Sequence, residues 1–77
     1  MKSFNYRILL RKEPEGGFTV TVPVLLGCVS YGETIEDAIK NVKEAIELYI
    51  STLIEYKEEI PSEEDILEYN LSVNCNV

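Results

Sequence analysis

Acidic side chains are the most abundant groups in this chain that could do chemistry. The 77-residue sequence has fourteen Asp and Glu, seven Lys and Arg, two cysteines and no histidine, which gives a net charge of −7. Without histidine, the chain has no imidazole base to activate a serine or cysteine nucleophile. It also lacks the glycine patterns that bind nucleotide phosphates. The chemistry left to consider is a carboxylate site for divalent metal ions.

A metal-dependent nuclease needs several carboxylates that converge from separate elements. The acids are poorly placed for this, because residues 1–12 contain none and the acids at residues 63–65 are adjacent in a predicted loop. Adjacent loop acids are typical of a solvated surface. Cys28 and Cys75 lack the spacing of a zinc site, and we interpret both as buried small hydrophobic residues. We therefore predict no catalytic residue, no metal and no cofactor.

The charge distribution indicates what kind of partner the surface would attract. Four of the seven basic residues lie within residues 1–12, whereas all fourteen acids lie at Glu13 or later. Such a surface repels phosphate, so we expect no direct binding of nucleic acid by this chain alone. It would favour a basic protein instead. The sequence has no signal-peptide core and no membrane-spanning stretch, which predicts a cytoplasmic protein with reduced thiols.

Many of the acids lie on one long predicted helix, which begins after Gly32 and runs to about Lys57. Thr34 is its predicted N-cap. Apolar residues then recur at the i, i+3, i+4, i+7 spacing of a helix with one buried face: Ile35, Ala38, Ile39, Val42, Ala45, Ile46, Tyr49, Ile50 and Leu53. The acids on the opposite face and at the helix entry are the predicted partner-binding residues: Glu33, Glu36, Asp37, Glu44 and Glu47.

Short runs before and after this helix alternate apolar and polar residues, which is typical of strands. Residues 4–12 and 18–22 are joined by a glycine-containing turn and predict a hairpin. Residues 28–31 predict a third strand, and residues 69–77 predict a fourth. The predicted fold is α+β with the order β-β-β-α-β, in a single domain of residues 1–77. One long helix covers one face of a mixed sheet with the strand order 3-2-1-4.

The fourth predicted strand also indicates self-association. It contains no charged residue and no proline, the usual protection of a free sheet edge. In the helix, Leu48 and Ile54 lie outside the buried stripe. We therefore expect a homodimer or a tetramer through the fourth strand, the later helix or both, with Leu48, Ile54, Leu71 and Val73 in the contact. The alternative is a monomer whose strand edge is covered by residues 58–66.

A series of motifs runs from the second strand into the helix. The strand ends at Pro23, a Gly-Cys pair follows at residues 27–28, and Gly-Glu-Thr stands at residues 32–34. The helix then continues the pattern with Glu36, Ala38, Asn41, Glu44 and Ala45. With these motifs, residues 4–61 resemble the N-terminal domain of the HicB antitoxin family. The chain departs from that family at Val24 and Leu26, where an acid and a proline are frequent.

The resemblance implies a partial, degenerate ribonuclease-H-like fold without nuclease activity. It also implies a role in a toxin–antitoxin system, in which such a domain binds and masks a small basic HicA-type mRNA interferase. Full-length antitoxins usually add a C-terminal DNA-binding module, for which this chain leaves no room, so operon repression by this chain alone is not expected. Two alternatives stand beside this antitoxin-like module: a stand-alone homo-oligomeric domain with another binding role, and an enzyme.

Overall fold

The computed structural model describes residues 3–76 and contains, within them, three strands and one helix. The strands are β1 (Leu9–Lys12), β2 (Phe18–Thr21) and β3 (Val29–Gly32), and the helix is α1 (Ile35–Glu55). The strands form one antiparallel sheet in the order β1-β2-β3, and α1 packs against β2 and β3. The predicted α+β class, the hairpin and the long helix are confirmed.

The strand register determines which side chains meet the helix. Leu10 pairs with Val20, and Val20 pairs with Ser30. Because Val20 is fully buried, this row faces α1. The neighbouring row of Leu9, Thr21 and Val29 therefore faces away from the helix. The sheet thus has one covered face and one open face, as expected for a small antiparallel sheet.

The core lies between α1 and the two strands beneath it. Its buried members come from the sheet, the helix and the connection between β2 and β3: Val20, Val22, Leu25, Cys28, Ala38 and Val42. Within the connection, the Leu25 N–H donates to the Val22 carbonyl and the Cys28 N–H donates to the Leu25 carbonyl, both at 3.0 Å. These bonds satisfy the backbone of a tight turn and leave the Leu25 side chain inside, only 1% exposed.

The junction of β3 and α1 is close-packed. A Cβ atom on Gly32 would overlap the backbone of Ala38, so a glycine is needed where the strand passes the first turn of the helix. Thr34 is the N-cap as predicted, and its Oγ1 accepts from the Asp37 N–H at 3.1 Å. The Asn41 side-chain amide donates to the Tyr31 carbonyl at 2.7 Å and joins the next turn of the helix to β3.

Two predicted strands differ from the structure. The first strand begins at Leu9, so residues 4–8 precede it without regular secondary structure. Residues 69–76 form no strand in the structure, so the predicted fourth strand, its place in the order 3-2-1-4 and the mixed sheet are not confirmed; Val77 lies outside the described residues. Alternation assigns side chains to faces, but a strand also needs a neighbour for its backbone hydrogen bonds, and residues 69–76 have none here.

The chain after the helix, residues 57–76, contains no helix and no strand and is called the C-terminal arm below. It leaves the helix through Lys57, whose φ of 55° is left-handed and ends the helix. The molecule has principal extents of 50 × 31 × 19 Å and a radius of gyration of 15.1 Å, against about 11.5 Å for a compact chain of this length. Within residues 3–76, no helix is both long and apolar enough to cross a membrane.

Candidate protein-binding surface

The outer face of α1 is acidic and exposed. At about 100° per residue, four of its acids fall within about 100° of the helix circumference, opposite the buried Ala38 and Val42. These acids are Glu36, Asp37, Glu44 and Glu47, all exposed. Glu33 is also exposed and lies two residues before the helix begins. We call these five residues the acidic face; they are the acids that the sequence predicts for partner binding.

The carboxylates of the acidic face have no cationic partner in the described part of the chain. The ion pairs within residues 3–76 both belong to Arg7, which contacts Glu63 at 3.0 Å and Glu68 at 3.5 Å. Lys40 and Lys43 lie on the outer half of α1, yet neither forms an ion pair there. Even with both lysines beside them, the five carboxylates of the acidic face are in excess, so the face keeps a negative potential that an incoming basic surface could neutralise.

An apolar groove of about 460 Å³ runs along one flank of the acidic face. One wall is the start of β3 and the turn before it, and the other wall is the second half of α1. Its lining residues are Gly27, Cys28, Val29, Ala45, Leu48, Tyr49, Thr52, Leu53 and Glu58. The Tyr49 hydroxyl donates to the Leu26 carbonyl at 2.9 Å and joins the two walls. Leu48 stands between the groove and the acidic face and is 69% exposed.

The groove offers apolar contact but no reactive thiol. Cys28 is buried among the groove's lining residues, and this burial raises the pKa of its thiol. Cys28 is thus the small core residue that the sequence predicts. The prediction that Cys75 is also buried was wrong. Cys75 is a free, exposed cysteine in the arm, because the predicted strand that would have buried it is not formed.

The predicted self-association residues lie on two different elements. Leu48 and Ile54 are 69% and 60% exposed on α1, whereas Leu71 and Val73 are 78% and 69% exposed in the arm. The structure does not gather them into one patch within a single chain. Sequence reasoning missed the groove itself, although the apolar character of residues 24–28, unusual for a connection, was a signal for it.

The acids at residues 63–65 do not behave alike. Glu64 and Asp65 are exposed, as predicted for a solvated loop, but the Glu63 side chain is only 8% exposed. Its carboxylate accepts from the Arg7 backbone N–H at 3.0 and 3.2 Å and from Arg7 Nε at 3.0 Å. The hydrogen bond between Arg7 Nε and this carboxylate raises the pKa of the Arg7 guanidinium. Across residues 3–76, no three or more of His, Cys, Asp and Glu are placed to hold a metal ion.

Comparison with known families decides the relationship. The family described as "HicB_like antitoxin of bacterial toxin-antitoxin system" matches residues 6–74 of this chain. The chain belongs to this family. A UPF0150 protein of Synechocystis is 48% identical over 65 residues, which cover 84% of this chain and 82% of that protein. A UPF0150 protein of Thermoplasma acidophilum is 41% identical over 56 residues, covering 73% and 81% respectively.

Solved HicB structures share the fold of this HicB-like chain. The crystal structure of the Burkholderia pseudomallei antitoxin HicB matches with a TM-score of 0.66 at 40% identity, over 88% of this chain. That of its N-terminal domain matches with a TM-score of 0.64 at 41% identity, over 86% of this chain and 69% of that one. The chain spans 46% of the longer B. pseudomallei chain. The family resemblance drawn from the sequence is confirmed.

Proposed function

We propose that this HicB-like protein is an antitoxin that binds a small basic HicA-type mRNA interferase and masks it, without catalysing a reaction itself. Membership of the antitoxin family supplies the functional class. The observation that carries the more specific proposal is the acidic face, whose five carboxylates are exposed and without a cationic partner in residues 3–76. In this proposal the fold is a partial ribonuclease-H-like one, and the pair acts in the cytoplasm.

The surface combines a charged region with an adjoining apolar groove, and the two would contribute differently to binding. Complementary charge accelerates encounter and orients the partners, while burial of apolar side chains slows dissociation. The acidic face supplies the first property. The adjoining groove, with Leu48 at its border, supplies the second, because it can accept an apolar side chain from the partner. A basic partner with an apolar residue beside its positive patch fits both features.

The test begins with a search for a toxin-sized basic protein encoded beside this gene, and it uses that protein as the partner. We expect the full chain to bind it in equimolar ratio, to stop its cleavage of mRNA, and to associate more slowly as salt rises. Replacing Glu36, Glu44 and Glu47 by Gln should slow association roughly tenfold at low salt. The matched control replaces three exposed acids elsewhere, Glu15, Glu59 and Glu64, by Gln, and the same charge change there should matter much less.

Two results would contradict this proposal at different levels. If the association rate did not depend on salt, or if the two triple variants had equal effects, the acidic face would not be part of the recognition surface. An antitoxin function would still be possible. Absence of binding to the basic neighbour protein would remove the toxin as partner. It would favour the second candidate, a homo-oligomeric domain with another binding role, which the exposed apolar side chains of the arm also support.

A further inference from the structure

We propose that an extended segment of the basic partner pairs as an added strand with the free edge of β3 and places an apolar side chain in the groove beside that edge. The inference rests on the proposed function for the basic character of the partner. It adds the conformation of the bound segment and the backbone groups that hold it. Strand addition of this kind derives affinity from main-chain hydrogen bonds and specificity from pockets for alternate side chains.

The free edge of β3 carries backbone groups that the sheet does not use. β3 is the last strand in the order β1-β2-β3, and within residues 3–76 no strand pairs with its other side. In an antiparallel ladder, alternate residues direct their N–H and C=O groups to one neighbour. The Val22 N–H donates to the Cys28 carbonyl at 3.1 Å, so Cys28 and every second residue after it are directed to β2. The backbone groups of Val29 and Tyr31 therefore point to the free edge.

Asn41 closes one end of this edge and leaves the other end open. Its side-chain amide donates to the Tyr31 carbonyl at 2.7 Å, which agrees with the outward direction of that carbonyl. The N–H and C=O groups of Val29 have no partner within residues 3–76. Val29 also lines the groove, so the open part of the edge and the groove coincide. Natural sheet edges are usually protected by charge or proline, and β3, with the sequence Val-Ser-Tyr-Gly, has neither.

The groove can accept side chains from an added strand. Such a strand would lie about 4.8 Å from β3, and every second side chain on it would point to the helix side of the sheet. One row of α1 residues borders that side at a spacing of three and four: Asn41, Ala45, Leu48 and Thr52. Ala45 is small and leaves space, whereas Leu48 forms the outer wall. An apolar side chain of the added strand would be buried between this row and β3.

Charge favours a basic protein over a second copy of this chain as the source of the bound segment. Among the described residues that line the groove, Glu58 is the only charged one. Around the helix, Glu44 and Glu55 lie within about 40° of Leu48, and both are exposed. Two copies joined at this edge would bring the acids of both molecules together. Lys or Arg two residues from the inserted apolar side chain would instead lie on the same side as these carboxylates.

The first experiment uses a synthetic peptide, so it does not require the toxin. The probe is a nine-residue peptide, Thr-Lys-Thr-Leu-Thr-Leu-Thr-Lys-Thr, whose leucines and lysines share one side when it is extended. In a nuclear magnetic resonance titration, we expect the largest amide shifts at Val29, Tyr31, Ala45 and Leu48. The matched control has methylated backbone nitrogens, which removes the main-chain donors, and should bind roughly tenfold more weakly or less. Equal binding of the two peptides, or no shifts at these residues up to millimolar peptide, would overturn the proposal.

The second experiment measures amide hydrogen exchange in the full chain, alone and with the basic neighbour protein. In the free chain, exchange should be fast at Val29 and Tyr31 and slow at Ser30, whose N–H is directed to β2. In the complex, exchange at the first two should slow roughly tenfold or more, while Ser30 changes little. A docked helix would not produce this alternation. Binding with uniform protection of β3, or with none, would therefore overturn strand addition and leave the proposed function in place. Absence of binding would contradict the proposed function, and the peptide titration would still decide the edge.

The third experiment compares matched variants in binding to the basic neighbour protein. Val29→Pro removes an N–H at the free edge of β3, and Leu10→Pro removes the corresponding N–H at the free edge of β1. We expect Val29→Pro to weaken binding roughly tenfold or more and Leu10→Pro to leave it unchanged. If either proline variant fails to fold, the leucine pair decides: Leu48→Ala removes the groove wall and should weaken binding, whereas Leu67→Ala in the arm should not. Equal binding of the two leucine variants, or unchanged binding by a folded Val29→Pro variant, would overturn the proposal.

Discussion

The body of the molecule, residues 9–55, and the C-terminal arm contain similar strand patterns with opposite outcomes. Val20 in β2 is fully buried, whereas Val73 in the arm is 69% exposed, although both stand in alternating segments. β2 has a strand on each side and α1 above it, and residues 69–76 have neither. The difference teaches that alternation decides which side chains share a face, while a neighbouring strand decides whether they are buried.

Leucine truncation gives the strongest test of this comparison. Leu25→Ala removes a side chain that is 1% exposed and should lower the free energy of unfolding by about 3 kcal/mol, the cost of a core cavity. Leu26→Ala next to it and Leu67→Ala in the arm remove side chains that are 90% and 94% exposed, and each should change stability by less than about 0.5 kcal/mol. Urea unfolding measures all three.

The outcome that would break the comparison is a Leu67→Ala variant as unstable as Leu25→Ala. Such a result would mean that the arm is packed in solution and that the body is larger than residues 9–55. Equal, small effects of Leu25→Ala and Leu26→Ala would instead show that the connection between β2 and β3 is loose and that the core is centred elsewhere.

The parts of the fold that the sequence predicts well are those whose hydrogen bonds are local. α1 satisfies its backbone internally, so the apolar spacing and the Thr34 cap were enough to locate it. The hairpin is closed by a short turn in which Glu13 and Gly16 are hydrogen-bonded at 3.0 Å. A fourth strand would need a distant or external partner for its backbone, about which the alternation of residues 69–77 contains no information.

In the candidate site, too, the features that depend on local sequence were predictable and those that depend on tertiary contacts were not. The exposure of the acidic face follows from helix periodicity alone, so Glu36, Glu44 and Glu47 could be selected from the sequence. The groove depends on how the turn containing Leu25 folds under the helix, a tertiary contact that spacing does not specify. The burial of Glu63 was missed for a related reason, because its partner Arg7 is 56 residues away in the chain.

The reactivity of the two cysteines can test the body and the arm separately. Cys75 in the arm is exposed, whereas Cys28 is buried in the body and has a raised thiol pKa. At protein concentrations low enough to keep copies apart, a thiol reagent should modify Cys75 at once and Cys28 roughly a hundredfold more slowly, because Cys28 reacts only when the body opens. Mass spectrometry of samples taken at successive times measures both rates. The variants Cys75→Ser and Cys28→Ala show which rate belongs to which thiol.

Repeating the thiol-modification experiment at several protein concentrations tests the comparison further. Cys75 lies on the apolar side of the arm with Leu71 and Val73, so the self-association that the sequence predicts through these residues would cover it. Its rate should then fall as the protein concentration rises, while that of Cys28 stays low throughout. Equal rates for both thiols in dilute protein would contradict the division into a packed body and an exposed arm.

The smallest expected effect concerns the root of the arm, where the two regions meet. Glu63→Gln weakens the hydrogen bonds that this carboxylate accepts from the Arg7 N–H and Nε. Because the Arg7 side chain is 38% exposed, solvent screens the ion pair, and the urea midpoint should hardly move. Exchange of the Arg7 amide proton should nevertheless accelerate, and proteases should cut residues 64–76 faster. Glu68→Gln is the matched control, since Glu68 meets Arg7 at 3.5 Å and is 59% exposed, so it should change neither quantity. A large loss of global stability in Glu63→Gln would show instead that the root belongs to the cooperative body, and the boundary between body and arm would move from residue 57 to beyond residue 63.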